Sequence, residues 1–146
     1  MEFGWINVFG AVFVILLLIP NIAYAVRNRG EENLSRNRFM NALEQIGRYA
    51  CIALMWLPFP VGKFGFARVF EMMLCLAGNA VLTVVYWILF ARYAKTKSAV
   101  LARILALLPA CVFLLSGLLL RHWLLAGAAV LFGIGHLYVT AKNHAR

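Results

Sequence analysis

Five long apolar runs, separated by short polar or basic stretches, make up most of this chain. They cover about residues 3–26, 41–60, 69–90, 100–120 and 123–140. Each is close to the roughly 20 residues an α-helix needs to cross a hydrocarbon core about 30 Å thick. The pattern predicts an all-α fold, a polytopic transmembrane helical bundle of about five spans in one domain, 1–146. Only Arg121 and His122 separate the last two runs, which must therefore close the chain as a tight antiparallel hairpin.

The runs are not equally clean. The first contains Ala23-Tyr24-Ala25, which resembles a signal-peptide cleavage site. Against that reading, the segment before it carries Glu2 instead of a basic residue, the run is long, and Arg27 and Arg29 follow at once. It is expected to remain as a membrane helix. The second run is the most polar. Its upstream part, Leu34 to Gly47, reads as an amphipathic approach with Phe39, Met40, Leu43 and Ile46 on one side. Pro58 and Pro60 are expected to stop it, because neither can donate to a helix and each pushes its predecessor out of the α region. The third run is interrupted only by Glu71, Asn79 and Thr83.

Composition changes the meaning of the charge. The chain is 64% hydrophobic and 13% charged, too apolar for a soluble fold of this size, so its solvent is expected to be the lipid bilayer. The net charge of +9 then reads as loops held in the cytoplasm, and not as a nucleic-acid surface. Five spans put Arg27, Arg29, Arg36, Arg38, Arg48, Arg92, Lys95, Lys97, Arg103, Lys142 and Arg146 toward one side, 11 of the 14 basic residues. Lys63, Arg68 and Arg121 fall toward the other. That asymmetry predicts the amino terminus outside and the carboxyl terminus in the cytoplasm.

Polar groups at membrane depth are costly and so mark candidate sites. Glu44, Gln45 and Arg48 lie in the inner half of the second run. Glu44 and Arg48 are four apart, on one helix face and in the favourable order for pairing. A structural reading stands beside this one: Asn41 caps the helix with Glu44 as its reciprocal partner, and Arg48 snorkels to lipid phosphate. His136 lies near the inner end of the fifth run, after Gly133 and Gly135, with a side chain able to bind or relay a proton. Its structural reading is a hydrogen bond to a neighbouring helix. Pro20 frees the carbonyl of Leu16, and Asn21 beside it can satisfy backbone or reach a neighbour. Pro109 does the same to Leu105. Asn79 sits near the middle of the third run, with Thr83 one turn deeper. Turned together, Asn21, Glu44, Gln45, Arg48, Asn79 and His136 would form a polar inner-leaflet pocket. Arg68 and Glu71, three apart, read as a local interfacial pair. Ala129 and Gly133 form a small-xxx-small step suited to close helix packing.

Other chemistry is not indicated. Cys51, Cys75 and Cys111 lie singly in apolar runs, without disulfide or zinc spacing. No nucleotide loop, paired-histidine motif or nucleophile signature is present, so no catalytic residue, metal ligand or cofactor is assigned. The segments Ile19-Pro20-Asn21 through Tyr24 and Leu43-Glu44-Gln45-Ile46-Gly47-Arg48 resemble those of a family of small, uncharacterised bacterial five-helix membrane proteins. The resemblance extends to the closing hairpin and implies the bacterial cytoplasmic membrane, but no activity. Small membrane methyltransferases also have five spans, yet their Arg-His-Pro signature and cofactor glycines are not here. Two functional expectations follow. One is a pocket that binds or transports a small polar or ionic ligand, with a homo-oligomer needed for transport. The other is a non-catalytic accessory, scaffold or immunity-type subunit of a larger membrane complex.

Overall fold

The computed structural model describes residues 7–57 and 65–144. Pro58, Pro60, Lys63 and Arg146, like the start of the first run at Phe3, lie outside the described residues. Five α-helices follow in order: α1 Val8–Arg27, α2 Arg38–Trp56, α3 Val69–Thr96, α4 Ala99–Leu119 and α5 Trp123–Asn143. Four of them, α1, α3, α4 and α5, are long and apolar enough to cross a membrane. α2 is not among these four, because Arg38, Glu44 and Arg48 dilute its apolar residues.

The helix ends explain where hydropathy and structure part. Asn7 caps α1, its side chain accepting from Gly10 N–H at 3.0 Å. α2 begins before its apolar run, with Asn37 as the cap accepting from Met40 N–H at 3.2 Å. Asn41 is therefore inside the helix, where it donates to the Ser35 carbonyl, and the expected capping box with Glu44 does not form. α2 ends at Trp56, and Leu57 is extended (φ −109°, ψ 120°), the conformation imposed on a residue that precedes proline. α3 continues six residues past its apolar run through Arg92 and Lys95, until Lys97 turns into the left-handed region at φ 51°. Hydropathy reports the lipid-compatible part of such a helix, whereas the cap reports its end.

Helices successive in the chain alternate in direction. Asn79 on α3 meets Ser116 on α4, and Gly117 on α4 meets Ala126 on α5. α2 runs antiparallel to α5 over much of its length, with Gly47 against Phe132 and Glu44 against Gly135. At its far end, Trp56 C=O accepts from Asn7 N–H at the start of α1. α1 and α3 run parallel, since Leu16 meets Trp87 and Tyr24 packs on Tyr93. The buried centre includes Val14, Leu17, Cys51, Met55, Tyr86, Phe113, Leu125 and Phe132.

α2 turns its polar face inward. Its buried residues are Glu44, Gly47, Cys51 and Met55, while Phe39 (72% exposed), Ile46 (69%) and Tyr49 (66%) point out. Of the apolar side read from the sequence, Phe39 and Ile46 thus lie on the outer surface, and Met40 and Leu43 are half-buried. In a hydrocarbon solvent that arrangement is reasonable, because small and polar residues make the helix contacts and large apolar ones face lipid. α5 supplies the matching small residues. A Cβ on Gly47 would come 2.8 Å from Phe132 Cα, and one on Gly135 would come 2.7 Å from the Glu44 backbone nitrogen. Ala129 is 1% exposed, and Gly133 faces Ala110 of α4, so this small-residue step is used within the chain.

At the end of the bundle opposite Arg27 and Lys142, Glu71 departs from the expected local pair. Its carboxylate lies 3.5 Å from the Arg121 guanidinium and accepts from Ala67 N–H at 2.9 Å. Loop closure brings Arg121, at φ 56°, back over the start of α3, a contact that spacing along one helix does not reveal.

Candidate functional site

Close α2–α5 packing creates the site. Gly135 lets the α2 backbone come near enough for His136, the next residue, to reach Glu44. Glu44 Oε1 lies 2.6 Å from Arg48 Nη2 and 2.6 Å from His136 Nδ1. Arg48 is one helical turn away on the same face, while His136 comes from α5. The carboxylate is almost removed from solvent, at 4% exposure for the residue. Burying an unpaired carboxylate would be prohibitive, and two charge-assisted donors on one oxygen make it tolerable. The His136 ring stacks on Phe132, with centroids 5.0 Å apart and planes 17° from parallel. Position and tilt of the imidazole are thereby fixed, with Nδ1 toward Glu44 and Nε2 left for another partner.

Two cavities meet at this cluster. A cleft of about 560 Å³ between α1, α2, α4 and α5 is lined by Arg48, His136 and Asn21, with Val14, Leu17, Ile52, Phe113 and Phe132 among its apolar walls. A polar basin of about 680 Å³ near the ends of α3 and α5 is lined by Glu44, Gln45, Glu31, Tyr93, Lys97 and His144 among others. Glu44 faces the basin and its two partners face the cleft, so the cluster stands between them. Both volumes lie in the range of small-molecule sites.

The remaining sequence candidates divide. Asn21 donates to the Leu17 carbonyl at 2.8 Å and to the Tyr86 hydroxyl at 2.6 Å. The Leu16 carbonyl that Pro20 leaves free accepts from the Trp87 indole N–H at 2.9 Å. The proline thus ties α1 to α3, and Asn21 sits at the edge of the cleft. Gln45 lies on the basin side. Asn79 is elsewhere: it is 1% exposed and donates to Ser116 Oγ at 2.8 Å in the α3–α4 contact. Its Oδ1 and the Thr83 hydroxyl have no hydrogen-bond partner among the described residues.

Several basin residues were missed by reading polar residues at membrane depth alone. Lys97 reaches the Tyr24 hydroxyl and lies 3.7 Å from Glu31. The Tyr93 hydroxyl pairs with His144 Nε2 at 2.8 Å. A signal existed: Tyr86 and Tyr93 are seven apart, hence on one face of α3, and both are buried. Among the described residues no three His, Cys, Asp or Glu side chains are grouped to hold a metal ion. No family model, no curated protein and no solved structure matches the chain. The site must therefore be read from its own chemistry.

Proposed function

We propose that this is a multi-pass membrane protein whose inner-half pocket binds, and in an oligomer transports, a small ligand with a polar or ionic group. In this reading all five helices cross the bilayer with the amino terminus outside. α2 crosses because α1 and α5 shield its polar face, although its composition alone does not suffice. The basic residues at the ends of α1, α3 and α5 then lie at the cytoplasmic surface, and the family resemblance of the Pro20-Asn21 and Glu44–Arg48 segments favours a bacterial cytoplasmic membrane.

One observation carries the proposal: a buried Glu44 is held by Arg48 and His136, whose other sides line a ligand-sized cleft. A cluster serving only to join α2 to α5 needs no cavity beside it. The accessory-subunit alternative draws on small-residue faces for partner binding, but Ala129 and Gly133 are already occupied by α4 and α5 packing. Replacing Glu44→Gln together with Arg48→Met keeps the interior neutral and removes the charges. The purified wild type is expected to gain thermal stability with at least one member of a panel of water-soluble anions, cations and single-chain amphiphiles. A folded double mutant is expected to lose that response. If the folded double mutant responds as the wild type does, the pocket is not centred on these residues.

A further inference from the structure

The cleft opens sideways. α1 and α2 are joined at one end, where Asn7 N–H donates to the Trp56 carbonyl and Gly10 packs on Met55. Toward the other end the cleft lies between them, with Ile22 of α1 and Tyr49 of α2 on its lining. These two residues are 58% and 66% exposed, so no other part of the described chain covers the mouth. The neighbouring outer surface is also apolar, with Ile15, Ile19 and Ile46 exposed. Such a surface is suited to acyl chains and ill suited to water.

The interior has the opposite character where Arg48, His136 and Asn21 line it. Most of the cleft wall is aliphatic or aromatic, and its charged group is Arg48, whose side chain is 35% exposed. Glu44, the carboxylate that balances Arg48, does not line the cleft and faces the basin instead. A guanidinium has five N–H donors in a fixed fork, and Glu44 takes Nη2. The imidazole of His136, held through Nδ1 by Glu44, also lines the cleft. Arg48 thus turns donors into the cleft while its carboxylate partner stands on the other side, and an acidic head is the group a guanidinium fork takes best.

We infer that the cleft is a lateral port for a single-chain amphiphile with an acidic head, which enters from the bilayer between α1 and α2. The head sits on Arg48 and His136, and the tail lies along Val14, Leu17 and Phe113. This inference rests on the pocket reading above and adds both the ligand class and the direction of entry.

The test uses the full chain, purified in an uncharged detergent. Binding and thermal shift are measured with oleate, with oleyl alcohol (same tail, no acidic head), and with acetate and inorganic phosphate as free anions. Oleate is expected to bind on the order of tenfold or more tightly than oleyl alcohol, the scale set by losing charge-assisted hydrogen bonds. Acetate and phosphate are expected to give no shift at matched concentration. Glu44→Gln with Arg48→Met is expected to equalise oleate and oleyl alcohol. Ile22→Trp, at an exposed position where folding is not at stake, is expected to weaken oleate binding by narrowing the mouth. Equal binding of oleate and oleyl alcohol by the wild type would overturn the acidic-head assignment, and unchanged oleate binding by Ile22→Trp would overturn entry between α1 and α2. Response to acetate or phosphate without oleate would overturn the lateral port and leave the pocket itself standing. Silence toward these probes and toward the wider ion panel would overturn both.

Discussion

Glu44 is the residue that ties α2 to α5 by charge. Arg48 and His136 both meet its Oε1 at 2.6 Å, so deleting the carboxylate removes the partner of both at once. Glu44→Ala is expected to cost about 1–3 kcal/mol, the range for leaving a hydrogen-bonding partner unsatisfied, because Arg48 keeps partial access to solvent. Glu44→Gln with Arg48→Met is expected to cost less than Glu44→Ala, because it leaves no uncompensated charge. Chemical unfolding of both variants in detergent checks the order, and a double mutant less stable than Glu44→Ala would contradict it. The Glu44–Arg48 half of this cluster was legible in the sequence, since a spacing of four dictates a shared helix face. The His136 half was legible only as a depth. Which way α5 faces depends on Gly135 and Gly47 as close-approach points, and those can be recognised only once α2 is known to be their partner. Asn79 shows the limit of depth as a guide: it lies near mid-run, as expected, but on the α3 face that meets α4.

At the scale of elements, the α2–α5 contact should be sensitive to single methyl groups. A Cβ at Gly135 would fall 2.7 Å from the Glu44 nitrogen, whereas one at Gly127 on the same helix has nothing within 4 Å. Gly135→Ala is expected to destabilise by about 1–3 kcal/mol, as overpacking does. Gly127→Ala is expected to be stabilising by about 0.5–1 kcal/mol through helix propensity. Thermal unfolding of the pair checks this, and equal effects would show that the two helices are not as close as described. The elements themselves were largely readable from apolar runs. Their ends were not, because Asn37 caps α2 ahead of its apolar run and α3 extends into basic residues. The inward turn of Glu44 follows the pocket expectation, whereas the grouping of Phe39, Met40, Leu43 and Ile46 did not say which way that apolar side would face. Phe39 and Ile46 lie outside because the surrounding solvent is expected to be hydrocarbon.

For the whole molecule, everything proposed about the pocket requires α2 to cross the membrane with its neighbours. Four helices are long and apolar enough by themselves, and a chain with those four spans alone would have both termini on one side. α2 is antiparallel to α5 and meets the start of α1 at Trp56, and the proposed fifth crossing, with Glu44 and Arg48 at membrane depth, rests on that packing. Odd and even span numbers differ in one observable. A short cysteine-bearing tag at each end, labelled by a membrane-impermeant maleimide in intact and then permeabilised cells, reads it directly. The amino-terminal tag is predicted to label in intact cells and the carboxyl-terminal tag only after permeabilisation; labelling of both tags on the same side would contradict the five-span arrangement and the membrane-depth pocket built on it.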